Sequence, residues 1–279
     1  LLLDKNYGYA EGYNRALEQV AADCYVLLNS DVEVEEGWLG PLAKLMASDE
    51  RIAALAPKIL SYDRPGYFEY AGASGGFLDA FGYPFCRGRI LDTIEQDDGQ
   101  YDTSRDVFWA SGACMMVRAD VFRKLGGFDG DFFAHMEEID FCWRAQLAGY
   151  RIMVEPRSRV FHLGGGTLPN NSPRKLYLNY RNNLSMLYKN LSKLTLWPLL
   201  FTRMVLDGMS AFVFLMQGRR DFFKVVFRSH MDFYKILGML RAKRRAIQRD
   251  RTGSAAGNIY RGSIILRHAL GRRTFGRMM

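Results

Sequence analysis

The sequence predicts an α/β protein, a mostly parallel sheet flanked by helices, followed by a basic helical appendage. Three observations carry that reading. Short apolar runs bounded by turn residues alternate with helical patterns through residues 1–163, as strand–helix–strand units do. With 279 residues, 48% of them hydrophobic, the chain can bury one large core. The charge is also divided: residues 1–173 hold 16 Lys and Arg against 26 Asp and Glu, and residues 174–279 hold 22 against 4. An acidic half suits metal and sugar chemistry, and a basic, aromatic-rich half suits an anionic surface.

Taken in order, residues 1–3 read as the end of a buried strand, 4–14 as a glycine-bearing turn and 15–22 as a helix. Residues 25–28 form a short apolar strand that runs into Asn29-Ser30-Asp31. Ligands of open α/β sheets bind beyond the carboxyl ends of strands, where Asp31 falls. A helix follows at 37–48, with Leu39, Leu42, Leu45 and Met46 on one face, and then a strand at 52–60. From 61 to 106 glycines, aromatics and acids dominate. That composition predicts a long insertion, mostly loop, with short strands near Phe68 and Phe77; it is either a binding loop or a surface excursion. Residues 113–117 read as a strand, and a helix opens near Glu137 with three acids in its first turn. A strand at 151–154 precedes His162 and the run Gly164, Gly165, Gly166.

Residues 172–190 have a Ser-Pro start and Leu176, Tyr180, Leu184 and Leu187 at helical spacing. Residues 194–217 are the most apolar window, with 11 Leu, Phe or Val. Each contributes about −0.3 to −0.6 kcal/mol to insertion, and Arg203 and Asp207 oppose by about +2.5 to +3.5 each. The terms nearly cancel and Pro198 predicts a break, so the window reads as a helix lying on or partly in a bilayer, with Arg203 and Asp207 paired. Residues 219–249 continue as a basic amphipathic helix that fits an anionic cytoplasmic leaflet. Residues 251–279 read as a linker and basic tail. No nucleic-acid motif accompanies the positive charge.

The four cysteines (Cys24, Cys86, Cys114, Cys142) are too scattered for a zinc knuckle or disulfide framework, which favours a reduced, cytoplasmic setting. The opening Leu-Leu-Leu-Asp has no signal-peptide pattern and reads as a chain lacking its natural start.

The chemistry gathers in a few places. In the loop holding Asn6, Gly8, Tyr9, Gly12 and Asn14, glycines allow close backbone approach and asparagines supply amides. It is not the dinucleotide fingerprint, so a dehydrogenase is a poor reading. Asp31, following a strand with Asn29, can hold Mg²⁺ or Mn²⁺, and His162 offers a second ligand. Glu137 and Asp140 share a face with Arg144, so an Asp140–Arg144 pair is the plain account of that face. Glu138 lies off it, in the first turn, and suits a general base.

Three motifs in order carry a resemblance: NYGYAEGYN (6–14), NSD (29–31), and the series SGACMMVR, GGFD, EEIDFCWR, HLGGG. Over about residues 4–190 the sequence resembles the inverting nucleotide-sugar glycosyltransferases of family 2, with the GT-A fold, and more closely their rhamnosyltransferase-like bacterial branch. The resemblance implies that Asn6, Gly8 and Asn14 border the nucleotide and that Asp31 is the last acid of the Asp-x-Asp metal motif, with Asn29 at its first position. Glu138 then stands at the base position, His162 at a histidine that completes the metal shell in some relatives, and Trp109, Ser111 and Gly112 along the acceptor and donor cleft. Relatives begin with a base- and ribose-binding segment for which this chain has no counterpart upstream of Leu1.

The expected organisation is a GT-A-like catalytic domain at 1–172, membrane-associating helices at 173–250 and a tail at 251–279. The expected function is metal-dependent transfer of a sugar from a nucleoside-diphosphate sugar to a glycan or lipid-linked acceptor. It would take place at the cytoplasmic face of the cell membrane, without nucleic acid. A non-catalytic nucleotide-sugar-binding remnant and a membrane-surface interaction module are the alternatives.

Overall fold

The computed structural model describes residues 2–164 and 172–278. Gly165 and Gly166 of the predicted glycine run lie outside them. In chain order the elements begin with α1 (Gly8–Leu17), β1 (Cys24–Leu28), β2 (Val32–Val34), α2 (Leu39–Ser48), β3 (Ile52–Ser61) and β4 (Gly76–Asp79). Next come β5 (Pro84–Cys86), β6 (Arg89–Ile90), β7 (Thr93–Ile94), β8 (Arg105–Asp106), β9 (Cys114–Arg118), α3 (Ala119–Lys124), α4 (Glu137–Leu147) and β10 (Arg151–His162). The rest are α5 (Pro173–Asn190), α6 (Lys193–Met216), α7 (Arg220–Lys235), α8 (Leu237–Arg249), β11 (Ile259–Tyr260), α9 (Ile264–Ala269) and α10 (Phe275–Met278).

The chain forms two compact units. A helical unit comprises Leu1–Val20, Phe128–Asp140 and Thr167–Arg251; a sheet unit comprises Ala21–Gly127, Phe141–Gly166 and Thr252–Met279. This cuts the chain differently from the expected division at 172 and 250, because the N-terminal helix belongs with the later helices and the tail with the sheets.

The sheet unit is mixed α/β. Its main sheet has the order β1-β9-β3-β10-β2, with β8 added beside β10. β1, β3 and β10 run in one direction, but only β3 and β10 pair in parallel. The expected mostly parallel sheet is therefore corrected. β9 inserts antiparallel between β1 and β3, and β2 and β8 flank β10 antiparallel. Apolar runs read alike in either orientation, so periodicity was silent on direction. β3 is buried along almost its whole length, as the apolar run around Leu55 requires of a central strand. Pro57, which has no N–H to donate, is tolerated there because β10 shifts register between Glu155 and Arg159. Leu42 and Met46 of α2 pack with Ile52, Leu55, Met116 and Met153 into one core cluster.

The long insertion is more ordered than expected. β4, β5, β6 and β7 form a second sheet, completed by β11 from the tail, which pairs in parallel with β4. Phe275 of the tail stacks on Phe77, Phe85 and Tyr101 at 5.2, 6.1 and 5.7 Å. The residues expected to be a linker and basic tail are thus part of this unit's core.

In the helical unit the predicted turn at 4–14 is mostly helix. α1 starts at Gly8, where φ is +78° and a Cβ would fall 2.4 Å from the Phe133 carbonyl oxygen. That close approach, rather than a loop, is what the glycine serves. The amphipathic reading of α5 holds, with Ser172 capping it by accepting from the Lys175 N–H. α6 runs unbroken through Pro198, against the expected break. Pro198 lies about one and a half turns from the helix start, so its missing N–H forfeits a single ladder bond. Arg203 and Asp207 pair as expected at 2.8 Å, and both are buried, with His230 3.3 Å from the second Asp207 oxygen. The opposite face of α6 is apolar and exposed: Leu194, Trp197, Phe201, Met209, Phe212 and Met216 show 58–89% of their surface. The predicted helix at 219–249 is two helices, α7 and α8, meeting at Ile236.

Candidate active site

The three acids occupy the first turn of α4, within the helical unit. The turn before them is unusual backbone: Phe133, His135 and Met136 all adopt positive φ, at 63°, 68° and 74°. Three carbonyl contacts hold it there. The buried Asn182 side chain donates to the carbonyls of Phe132, Ala134 and His135 at 2.9, 2.9 and 2.8 Å. Left-handed non-glycine residues persist only where surroundings over-determine them, and they gather at functional sites.

Glu137 and Glu138 each have a buried carboxylate oxygen, Oε2, that meets no hydrogen-bond partner among the described residues. Burial pushes the Glu138 carboxyl up to about 7, with the backbone amides at the helix start pulling it back. Burial, reinforced by the neighbouring Glu138 charge, drives Glu137 well above the usual carboxylate range. The Glu138 carboxyl therefore titrates near neutrality, beside a Glu137 whose hold on its proton is strengthened. That is the condition a general base needs. His135 is pushed down to about 4 by burial and by nearby Lys175, and is neutral.

Asp140 has partners of its own. Its carboxylate accepts from Lys189 Nζ at 3.0 Å and from Asn190 Nδ2 at 2.8 Å, and it is fully buried. Lys189 also binds Asp129, which Lys243 shares with Asp131. Asp140, a catalytic candidate by its place among the three acids, thus also anchors the helical unit through Lys189 and Asn190.

In the sheet unit, register makes a second constellation. β2 pairs with β10 so that Val32 lies opposite His162, and the Leu163 N–H donates to the Asp31 carbonyl at 3.1 Å. Asp31 Oδ1 then sits 3.3 Å from His162 Nε2. On the other side of the ring, Nδ1 lies 3.3 Å from Glu69 Oε2. Glu69 arrives because Phe68 bridges to Leu60 at the end of β3. Burial opposes a charge on His162, but Glu69 and Asp31 outweigh it and raise its basicity.

These residues fit a divalent cation. Two ligands on cis positions of an octahedral ion, with bonds of about 2.1 Å, stand roughly 3 Å apart, as Asp31 and His162 do. Among the described residues no group of three or more His, Cys, Asp or Glu side chains surrounds one point. Two protein ligands leave the remaining positions to substrate phosphates and water, which is how Mg²⁺ is commonly held.

Several of the other expected ligand-binding residues also make contacts within the fold. Asn6 accepts from the Gly8 N–H at 2.8 Å in the turn that leads into α1, and Asn14 clamps the Phe128 backbone through both its amide atoms, at 2.8 and 2.9 Å. Tyr9 packs on Tyr13 and Phe128, whereas Gly12 faces open space. Asn29 donates its N–H to the Ala113 carbonyl. Trp109 is buried against Gly76 and donates to the Phe77 carbonyl. Ser111 is buried and donates to the Ala71 carbonyl, while Gly112 is half-buried.

Sequence reasoning missed Glu69, Asn182 and Lys189. The last two had a signal: Leu178, Asn182, Ser185 and Lys189 lie on one helical face, so polar residues fall in phase with an apolar one.

Each of the two places, taken by itself, offers chemistry that group transfer can use: an Asp–His pair suited to a cation in the sheet unit, and a carboxyl raised to about 7 by burial in the helical unit. The chain belongs to Glycosyl transferase family group 2, whose family model matches residues 26–217. It is 28% identical over 171 residues to the N-acetylglucosaminyl-diphospho-decaprenol L-rhamnosyltransferase of Mycobacterium tuberculosis, covering 56% of this chain and 56% of that protein. It is 29% identical over 163 residues to the rhamnosyltransferase WbbL of Escherichia coli K12, covering 56% and 61%. The match thus spans little more than half the length of these relatives. Among solved structures it is similar to GalNAc-T7 with UDP, GalNAc and Mn²⁺ (14% identity, 67% of this chain and 35% of that one, TM-score 0.49). The mannosyltransferase PcManGT of Pyrobaculum calidifontis with GDP-Man and Mn²⁺ is another (12%, 91% and 67%, TM-score 0.44).

Proposed function

We propose that the protein is a metal-dependent, inverting glycosyltransferase. It moves a sugar, of hexosyl or rhamnosyl type, from a nucleoside-diphosphate sugar to a hydroxyl of a glycan or lipid-linked acceptor in cell-surface polysaccharide synthesis. The observation that carries this is the buried Glu137–Glu138 pair, with Glu138 at about 7 and unpartnered oxygens in a strained turn. Glu138 takes the proton of the acceptor hydroxyl as that oxygen attacks the anomeric carbon. Asp31 and His162 would hold Mg²⁺ or Mn²⁺, which when bound offsets the charge of the departing diphosphate. Release of nucleoside diphosphate from candidate donors tests the reading; hydrolysis or transfer with none of them would remove it.

The reaction is placed at the cytoplasmic face of the membrane, with the chain held in the interface rather than across it. α6 has the length and composition of a span, at a mean hydropathy of 1.6. Its two charges, however, turn inward and pair, so only an apolar stripe faces out. On α7 the exposed Phe223, Phe227, Met231 and Tyr234 continue this character, with Lys224, Arg228 and Lys235 beside them. Apolar side chains enter the acyl boundary while lysines and arginines meet anionic headgroups, at about 1 kcal/mol each. Sedimentation with phosphatidylglycerol vesicles is expected for the parent and lost in Trp197→Ser/Phe201→Ser/Phe212→Ser. Undiminished binding of that variant would overturn the docking face.

A further inference from the structure

We propose that Glu69 is a positioning residue for the cation: it holds the His162 ring so that Nε2, rather than Nδ1, faces Asp31. This rests on the reading of Asp31 and His162 as metal ligands. Glu69 is itself buried, in a site shaped around its carboxylate. Its Oε2 lies at ion-pair distance, 3.3 Å, from His162 Nδ1, which has no hydrogen-bond partner of its own among the described residues, and accepts from the Ala71 N–H. Its Oε1 faces Gly164, where a Cβ would come within 2.9 Å and where φ is +69°. The first glycine after His162 and Leu163 therefore gives room to this carboxylate.

The chemistry follows from the two ring nitrogens. A neutral imidazole that binds a cation through Nε2 carries its proton on Nδ1, and a carboxylate opposite Nδ1 fixes both the tautomer and the ring plane. Asp31 and His162 alone leave the ring free to turn about its Cβ–Cγ bond. Glu69 removes that freedom before the cation arrives. It does not touch the cation, because it lies on the far side of the ring.

The test uses the full chain, Mn²⁺ titrated and free ion read by electron paramagnetic resonance, with Mg²⁺ for nitrogen NMR of the His162 ring. Glu69→Ala is expected to weaken Mn²⁺ binding by about 10- to 100-fold, as loss of such partners does. With Mg²⁺ it should convert His162 from a single Nδ1–H tautomer to a mixture. Glu69→Gln, whose amide oxygen still accepts, should recover much of both. Gly164→Ala, which crowds the carboxylate without removing it, should mimic Glu69→Ala. His162→Ala separates the two levels. If it binds Mn²⁺ as the parent does, the metal site itself is wrong. If it binds weakly while Glu69→Ala binds like the parent with an unchanged tautomer, the positioning role alone fails.

Discussion

Glu138→Gln is expected to lower sugar transfer by about 10²- to 10⁴-fold, the usual share of a general base, while donor binding survives. The amide keeps the shape of the side chain and cannot accept the proton. Glu137→Gln should behave differently. Burial and the neighbouring Glu138 charge drive Glu137 well above the usual carboxylate range, so its neutral form is favoured and a glutamine imitates that form. A Glu137→Gln chain that loses as much activity as Glu138→Gln would reverse the two roles.

The same assignment fixes a pH profile. Transfer requires ionised Glu138, so kcat/KM should rise with pH through about 7 and then level. Stability should move the other way. A carboxyl whose folded pKa is raised binds its proton more tightly when folded. Its contribution is whole below the unfolded value of about 4.3 and is lost as pH climbs through about 7. Glu138→Gln should accordingly melt higher than the parent at pH 8 and alike at pH 4. A profile flat between pH 5 and 8 in the parent would remove Glu138 as the base.

How far the sequence foretold this site depends on the kind of interaction. Asp31 and His162 were legible because each follows an apolar run that stops, residues 25–28 for Asp31 and residues 151–154 for His162. Their meeting needed β2 to lie antiparallel against β10, a pairing that no local pattern encodes. Glu69 was illegible for a related reason: it sits in a glycine-rich insertion and reaches His162 only through the Leu60–Phe68 bridge. The first turn of α4 was legible as three acids in a row, but their division of labour was not. Glu138 and Asp140 differ in what the rest of the chain brings to them, buried unpartnered space for one and Lys189 with Asn190 for the other. Residue type sets what a group can do, and partners distant in sequence decide what it does. Of the second sheet only the strand near Phe77 was foretold, because its strands are two to four residues long, below the span at which alternation can be told from loop.

Lys189→Met is expected to cost about 3 to 5 kcal/mol of stability, the range for removing one partner of a buried ion pair. Lys189 is only 1% exposed and joins Asp129 in the turn after Phe128 to Asp140 at the start of α4. Methionine keeps the packing of the stem against the Phe132 ring, 4.6 Å from the ammonium in the parent, and removes only the charge. Asp140 would then keep Asn190, and Asp129 would keep Lys243, each with less charge than burial demands. The sign with pH is fixed by Asp129, which burial would raise but which Lys189 and Lys243 hold well below the usual carboxylate range. A depressed folded pKa contributes stability that is present above the unfolded value of about 3.9 and lost as pH falls through the folded one. The penalty of Lys189→Met should therefore be full at pH 7 and shrink in acid. Adding Asp140→Asn should recover part of it at pH 7, because the second change withdraws the charge the first left uncompensated. Guanidinium unfolding at pH 7 and pH 3 measures both. A loss under 1 kcal/mol at pH 7 would mean the network does not hold the turn. A full loss with transfer unchanged would mean that the left-handed backbone at Phe133, His135 and Met136 is kept by Asn182 alone.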